Sequence, residues 1–355
     1  MIEVSVQAQA SIEPGDIKLS VCIATYKRGA YIGDTLEAIL AALPAAAEVV
    51  IVDGASPDDT AQVVESFVRR NRAVRYFREA TNSGVDRDFD KAVSYAKGEY
   101  CWLMSDDDIL VPGAVARVLE KLDAGLDLLV VNSQVRNVDF SVELNPRILK
   151  FTTDREYVAT EGDLFMGDAG GYLSFIGGVV IRRRLWLERE RERFIGSLFI
   201  HAGVIFQAPL ARIKVLAEPL IIIRFGNAMW SSRGFEIWMF KWPNLIWSFD
   251  GFSDEAKMRV VAREPWRKLR KLILFRALGG YSYADYRKFF ANVGRGGPLQ
   301  FLVAVFPAAA ANGLSALYWF IVNRSAREGI HDLVGSRNSN PLTRWIARRL
   351  GIPTR

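Results

Sequence analysis

The stretch Tyr100-Cys101-Trp102-Leu103-Met104-Ser105-Asp106-Asp107-Asp108 decides how this chain is read. Five apolar residues in a row make a short strand buried on both faces, the kind found in parallel sheets. Three carboxylates follow almost at once. Like charges so close repel strongly, and a site that holds them ordinarily compensates them with a cation or with protons. Open α/β sheets hold their ligands at the carboxyl ends of their strands. Oxygen-only donors there suit Mg²⁺ or Mn²⁺ bridging a diphosphate, with Asp106, Asp107 and Asp108 as ligands. The plainer alternative is a solvated acidic turn before the helix near Pro112. The strand-end position favours the metal.

Working outward, residues 19–24 form a six-residue apolar run that ends at Thr25-Tyr26-Lys27-Arg28. Residues 31–43 carry helical spacing (Ile32, Leu36, Ile39, Leu40, Leu43), and Pro44 stops them. A strand over 48–52, a helix from Pro57-Asp58-Asp59 to about Asn71, and a strand over 74–77 come next. A helix over 85–97 stops at Gly98, and beyond the triplet lie a helix over 112–122 and a strand over 126–131. Strands separated by helices predict βαβ units and a mostly parallel sheet covered on both faces. From 140 to 178 the pattern loosens, with Gly167, Gly170, Gly171, Gly177 and Gly178 among aromatics, which reads as substrate-binding loops. Further strands are expected over 179–181, 215–216 and 220–223, with a helix around 202–212.

Two more strand ends bear on ligands. Asp53 closes the second strand in Val50-Ile51-Val52-Asp53-Gly54-Ala55-Ser56, where a carboxylate accepts hydrogen bonds from a ribose or base. Alone this is weak, because Asp begins many turns. Asn82-Ser83-Gly84-Val85-Asp86-Arg87 opens a helix, so its backbone donors and Arg87 suit a phosphate, or else form a plain N-cap with a surface arginine.

Ser20-Val21-Cys22-Ile23-Ala24-Thr25-Tyr26, Ile51-Val52-Asp53-Gly54-Ala55-Ser56, Asn82-Ser83-Gly84, Ala96-Lys97-Gly98-Glu99-Tyr100 and Ser105-Asp106-Asp107-Asp108 stand in a telling order. Over residues 19–230 the chain resembles the family 2 glycosyltransferases, and among them the abequosyltransferase-like group that builds bacterial surface polysaccharide. The resemblance implies a GT-A fold and inverting transfer from a nucleotide-sugar. It also implies nucleotide contacts near Ala24, Tyr26 and Asp53, and a divalent metal with the diphosphate at Asp106 and Asp107; Thr25 and Arg87 are expected to contact the donor beside them. Many relatives carry a second acidic residue after the one matching Asp53, against a uracil. Gly54 stands there in this chain, which leaves the donor base open. Relatives also place a catalytic carboxylate at the start of the helix that here begins near Phe199-Ile200-His201-Ala202. Inverting transfer needs a general base. His201 has a suitable unperturbed pKa, about 6.5, although a helix-terminal histidine packed on Phe199 and Phe206 is the competing reading. Asp168 is the reserve candidate.

The chain has 46 Lys+Arg and 40 Asp+Glu, but residues 255–355 hold 18 of the basic and 5 of the acidic ones. A balance of +13 in the tail against −7 before it directs the tail to an anionic surface. Basic residues interleave with Trp266, Leu269, Leu272, Ile273, Leu274 and Phe275 over 257–276, in the manner of an amphipathic helix on a membrane. Residues 299–322 carry no charge and are long enough to span a bilayer, but Pro307, Asn312 and Gly313 interrupt them, which favours two short interfacial helices. Tyr318, Trp319 and Arg324 suit the headgroup region. The alternative is a helical cap on the catalytic domain or a contact with a second copy.

Cys22 and Cys101 read as core residues of a reducing compartment, and residues 1–15 lack a signal-peptide core. The expected organisation is an extension over 1–18, a catalytic domain over 19–254 (donor half 19–132, acceptor half 133–254) and a helical, membrane-associating region over 255–355. The expected enzyme works peripherally on the cytoplasmic face of the plasma membrane. It takes a nucleotide-sugar donor and a lipid-linked glycan acceptor, with an anionic leaflet and no nucleic acid as partner. A nucleotidyltransferase would want a Gly-rich loop after the first strand, where the chain has Ala24-Thr25-Tyr26-Lys27-Arg28-Gly29. A degenerate transferase kept as a scaffold is the rival that the missing acidic base favours.

Overall fold

A computed structural model describes residues 17–122, 125–227, 229, 233–291, 297–322 and 327–354. The expected extension falls almost wholly outside these residues, as does Arg324. The chain divides into two compact units. The first is Met1–Gln134, Pro146–Arg224 and Phe249–Val260; the second is Val135–Asn145, Phe225–Ser248 and Val261–Arg355.

In the first unit β1 (Leu19–Thr25), α1 (Gly29–Leu40), β2 (Ala47–Asp53), α2 (Thr60–Arg70), β3 (Val74–Arg78), α3 (Val85–Tyr95) and β4 (Tyr100–Met104) alternate as the hydrophobic pattern requires. Every residue of β1, β2 and β4 is buried, because helices cover both faces of the sheet. These strands are parallel, and their register pairs Thr25 with Asp53 and Ile23 with Met104. Thr25, Asp53 and the residues after Met104 therefore emerge at one end of the sheet.

Next come β5 (Ile109–Leu110), α4 (Ala114–Lys121), β6 (Leu128–Asn137), β7 (Glu143–Asn145), β8 (Arg155–Val158), α5 (Gly162–Ala169), β9 (Val179–Arg182), α6 (Arg183–Glu188), α7 (Ile200–Phe206) and β10 (Arg212–Phe225). The strand order is β3-β2-β1-β4-β9-β6-β10-β5, and β9 joins β4 antiparallel. The two strands expected over 215–216 and 220–223 are one continuous strand. The helix expected over 202–212 ends at Phe206, and β10 begins at its last residue, Arg212. β10 returns to β5 with Ile222 opposite Ile109, which brings Arg224 beside the acidic turn.

The second unit begins its helices with α8 (Gly234–Glu236), which continues through a π-helical stretch (Ile237–Lys241) into α9 (Trp242–Trp247). The following helix, α10 (Asp254–Val260), belongs to the first unit. The remaining helices are α11 (Leu269–Leu278), α12 (Tyr283–Phe289), α13 (Pro298–Val305), α14 (Ala308–Val322), α15 (Arg327–Gly335) and α16 (Pro341–Arg349). The expected boundary at 254 is thus displaced, for packing reasons. The Phe235 ring packs on Phe275, Tyr281, Phe289 and Phe290, which ties residues 225–248 to the later helices. Phe249 and Phe252 pack on Phe206, and Arg259 pairs with Asp168, which keeps residues 249–260 with the sheet.

The single amphipathic helix read over 257–276 does not form. It breaks at Pro265 into α10, a 3₁₀ turn (Pro265–Arg267) and α11. The apolar run over 299–322 does split, into α13 and α14 bent by 102° around Phe306-Pro307. Asn312 and Gly313 do not interrupt it further. Asn312 is fully buried, its amide donates to the Leu333 carbonyl (3.0 Å) and Ser336 Oγ (3.0 Å), and it accepts from Thr343 Oγ1 (2.6 Å). One buried amide thereby links α14 to α15 and α16, with its hydrogen bonds satisfied.

Gly98, between α3 and β4, is a sensitive point of the sheet. A Cβ there would lie 2.7 Å from the Ser20 backbone nitrogen and 2.8 Å from the Tyr100 carbonyl oxygen, neither of which yields cheaply. Gly98→Ala should destabilise the protein by about 1–3 kcal/mol, the usual cost of overpacking, read from the midpoint of denaturant unfolding.

Candidate active site

The site starts at the turn between β1 and α1, which is fastened to the turn between β2 and α2. Lys27 N–H donates to Ser56 Oγ (3.0 Å) and Arg28 N–H to Thr60 Oγ1 (2.9 Å). Gly29 N–H donates to Asp58 (3.3 Å), and a Cβ at residue 29 would collide with Asp59 Oδ1. Lys27 takes the left-handed conformation (φ 58°) to make this path. The result fixes the backbone of Arg28 and aims its side chain across the sheet end at the carboxylates after β4.

Arg28 Nε lies 3.3 Å from Asp106 Oδ1 and an Arg28 terminal nitrogen 3.1 Å from Asp107 Oδ2, with all three side chains only 10–11% exposed. Ser105 Oγ donates to Asp107 as well. Asp108 turns elsewhere. Its Oδ1 accepts the Arg224 backbone N–H (2.8 Å), while Arg224 Nε donates to the Asp107 carbonyl (2.9 Å) and its terminal nitrogen to Asp34 (2.7 Å). Tyr31 lies between the two guanidinium groups, 5.7 Å from that of Arg28 and 5.1 Å from that of Arg224.

Three buried carboxylates (Asp106, Asp107, Asp108) and the exposed Asp34 thus face two guanidinium groups. Burial, and then the neighbouring Asp107, push Asp106 up to about 7 despite Arg28, and push Asp108 well above the usual carboxylate range. A buried surplus of negative charge that otherwise draws protons fits a divalent cation. Among the described residues no three acidic, His or Cys groups converge on one point. The protein offers the pair Asp106 and Asp107, consistent with a cation that completes its shell with phosphate and water. Asp108, expected as a third ligand, is engaged by the backbone of β10.

Ala24 and Thr25 are buried at the end of β1, Thr25 beside Asp106, and Tyr26 and Lys27 form the accessible rim of the turn, with Lys27 Nζ 5.3 Å from the Tyr26 ring. Asp53 is fully buried, and its oxygens accept from Ser56 N–H (2.7 Å) and Tyr76 Oη (2.6 Å). It shapes the turn between β2 and α2. Gly54 has a physical explanation: a Cβ there would come 2.7 Å from Asp88 Oδ2. Asp88, itself buried and pushed up to about 6 by that burial, occupies the space of a second acidic side chain.

Three expected site residues lie elsewhere than their roles require. His201 is buried in α7, and its Nε2 donates to the Leu173 carbonyl (2.9 Å). Burial lowers its pKa to about 4. A ring so enclosed cannot reach an acceptor hydroxyl, so the competing reading, a packed core histidine, is the right one. Asp168 is bound by Arg155 (2.8 Å), Arg259 (2.7 Å) and Tyr157 Oη (2.9 Å), which consume both its oxygens. Arg87 makes a two-pronged pair with Glu192 at the surface (2.6 and 3.3 Å).

The residues that sequence reasoning passed over are Arg28, Arg224 and Asp86. Asp86, on α3, accepts N–H bonds from Gly196 (2.8 Å), Leu198 (2.9 Å) and Ile200 (3.1 Å). A carboxylate thus does lie at the start of α7, but it comes from a helix more than a hundred residues earlier and acts as a cap.

A sheet of this order, with acidic residues gathered after its fourth strand, is a GT-A-like fold. Residues 20–175 match the model of glycosyl transferase family 2, and the chain carries a glycosyltransferase family 2 domain and is a glycosyltransferase. It is 26% identical over 230 residues to the abequosyltransferase RfbV of Salmonella typhimurium, covering 61% of this chain and 69% of that one. It is 27% identical over 109 residues to the GalNAc(5)-diNAcBac-PP-undecaprenol β-1,3-glucosyltransferase of Campylobacter jejuni, covering 30% of this chain and 35% of that one. Among solved structures, S. aureus TarS 1-349 in complex with UDP shares the fold at a TM-score of 0.56 and 19% identity, over 96% of this chain and 93% of that one.

The placement of His201 generates two expectations. His201→Gln should keep kcat within a few fold. Because the folded pKa is depressed, the unfolded chain takes up a proton that the folded one refuses between about pH 6.5 and 4, so stability falls with acid over that window. The variant should lose stability at neutral pH yet show a shallower acid decline there, read by thermal unfolding across pH.

Proposed function

We propose that the chain is an inverting transferase that moves one sugar from a nucleotide-sugar donor to a membrane-anchored, polyprenyl-diphosphate-linked glycan. It does so at the cytoplasmic face of the plasma membrane, in bacterial surface polysaccharide or O-antigen synthesis. The observation that carries the donor half of this reading is the buried pair Asp106 and Asp107 at the end of β4, opposite the fastened turn after β1. The names of the Salmonella and Campylobacter relatives support the pathway and the lipid-linked acceptor, and the UDP complex of TarS supports a nucleotide-bearing donor.

Asp106 and Asp107 would hold Mn²⁺ or Mg²⁺. Such an ion, when bound, neutralises charge on a departing diphosphate. Tyr26 and Lys27 line the nucleotide end, the first as a flat surface and the second as a cation for phosphate. Asp53 and Asp88 keep that end rigid through Ser56, Tyr76 and Ser83. Arg28 and Arg224 hold the carboxylates in place before the donor arrives.

The second unit supplies the membrane half. Leu299, Leu302 and Val305 of α13 are 49–56% exposed, and Leu314, Ile321 and Val322 of α14 are 56–66% exposed. Among the described residues no single helix is long and apolar enough to cross a membrane. Arg270 donates to Tyr318 Oη (2.8 Å) and Arg276 to the Phe306 carbonyl (2.7 Å), so cations flank the apolar bend. An apolar surface edged with cations in a region of +13 balance suits the interface of an anionic leaflet.

Asp107→Asn should cut transfer by about 10²-fold or more, and EDTA should do the same to the unaltered protein, with Mn²⁺ restoring only the latter. Full activity in EDTA overturns the metal reading. Binding to anionic liposomes should weaken in 1 M salt, where the Debye length is about 3 Å, without vanishing, because insertion is not screened. Leu302→Glu with Val305→Glu should remove the salt-resistant part. Flotation that leaves the protein unbound at low salt excludes the membrane role.

A further inference from the structure

We propose that Arg28 is a resident counter-cation that keeps divalent metal out of the carboxylate pair until a nucleoside diphosphate arrives, so that donor and metal bind as a coupled unit. The proposal rests on the reading of Asp106 and Asp107 as the metal-holding pair. Its basis is one juxtaposition: a single guanidinium touches both of those carboxylates, at 3.3 and 3.1 Å, in a nearly enclosed place.

Arg28 is not an incidental surface partner. Its backbone is fixed by the Thr60 bond, and its neighbours on either side by Ser56 and Asp58. The side chain is 10% exposed, so the ion pairs are poorly hydrated and keep much of their strength. Guanidinium is always charged and presents donors in a planar fork, which suits two adjacent carboxylates. The second guanidinium, Arg224, is committed to Asp34, to the Asp107 carbonyl and, through its backbone, to Asp108. It holds the frame of the turn, whereas Arg28 meets the carboxylate oxygens of the pair.

A metal ion held by Asp106 and Asp107 needs oxygens that Arg28 covers. With no diphosphate present, the ion would bring two further positive charges against the guanidinium that already holds both carboxylates. Binding then requires either repulsion between close cations or loss of the Arg28 pairs. A diphosphate changes the balance. It adds negative oxygens that the ion and the guanidinium can share, so Arg28 can turn from carboxylate to phosphate without losing a counter-charge. Each ligand therefore improves the site for the other, and the coupling is reciprocal.

The test is Mn²⁺ binding to the full chain, followed by the electron paramagnetic resonance signal of free Mn²⁺, with Mn²⁺ alone and with UDP, GDP or CDP. Mn²⁺–nucleotide complexes formed in solution are corrected for in each case. Unaltered protein should bind Mn²⁺ at least tenfold more tightly with one of the nucleotides than without. Arg28→Gln should bind Mn²⁺ alone about tenfold more tightly than the unaltered protein, and its gain from nucleotide should shrink. Arg28→Lys, which keeps a charge, should behave more like the unaltered protein. Equal Mn²⁺ affinity with and without nucleotide in the unaltered protein overturns the proposal even if no variant folds. So does an Arg28→Gln variant that melts normally and binds Mn²⁺ alone no better. If Mn²⁺ binds but Arg28 is without effect, only this proposal fails. If Mn²⁺ binds under no condition, the metal reading fails with it.

Discussion

The constraint on which the first unit depends is a surplus of buried negative charge at the end of one strand. Asp106, Asp107 and Asp108 are each less than 9% exposed, and isolated charges in such a place are costly. The fold answers with two arginines from opposite ends of the chain order, Arg28 after the first strand and Arg224 at the end of the last. Satisfying the triplet therefore links β1, β4 and β10 into one structure. The parallel register brings Thr25, Asp53 and the acidic turn to a common level, and β10 returns past β5 to deliver its arginine.

This arrangement separates positioning from contact. Asp53 and Asp86 are hydrogen-bonded carboxylates near the sheet end, and both spend their oxygens inside the protein. Asp53 holds the turn after β2. Asp86 gathers three N–H groups of the segment that leads into α7, where Gly196 and Leu198 adopt left-handed conformations (φ 83° and 73°). A non-glycine residue in that conformation is strained, and an external carboxylate bound to its N–H helps to hold it there. Asp106 and Asp107 have partners too, but an arginine side chain can rotate away where a backbone cannot. The two kinds of carboxylate look alike in sequence and differ in whether their partner can leave.

Most of the fold was legible because it rests on local patterns. Apolar runs between amphipathic stretches marked β1 to β4, and Gly98 and Pro44 marked their boundaries. The site's acidic turn was legible for the same reason, since three carboxylates directly after a buried strand are rare without a function. What escaped were contacts made over long sequence separations. Nothing near residue 200 announces that its helix is capped from residue 86, so His201 stood out as the only titratable group at that helix start. Its burial depends on Leu173 and Phe199, which no spacing rule connects to it. Asp168 misled for a related reason, because its arginine partners lie 13 residues before it and 91 after it.

The second unit shows the converse error, in which local pattern said too much. Asn312-Gly313 looks like a break in an apolar run, yet α14 passes through it unbroken. The small glycine admits the Asn340 side chain at close range, a Cβ there lying 3.0 Å from Asn340 Nδ2, and the asparagine satisfies its own amide across three helices. A polar residue inside an apolar run can therefore be a core link. The buried face of α14 is built from Ala311, Asn312, Gly313, Ser315 and Ala316, with the partly buried Trp319 and Phe320 packed against the same cluster, while Leu314, Ile321 and Val322 are exposed. The exposed apolar strip of Leu314, Ile321 and Val322 is the part of α14 that the proposed membrane attachment would use, whereas the buried amide network serves the packing of the helices alone.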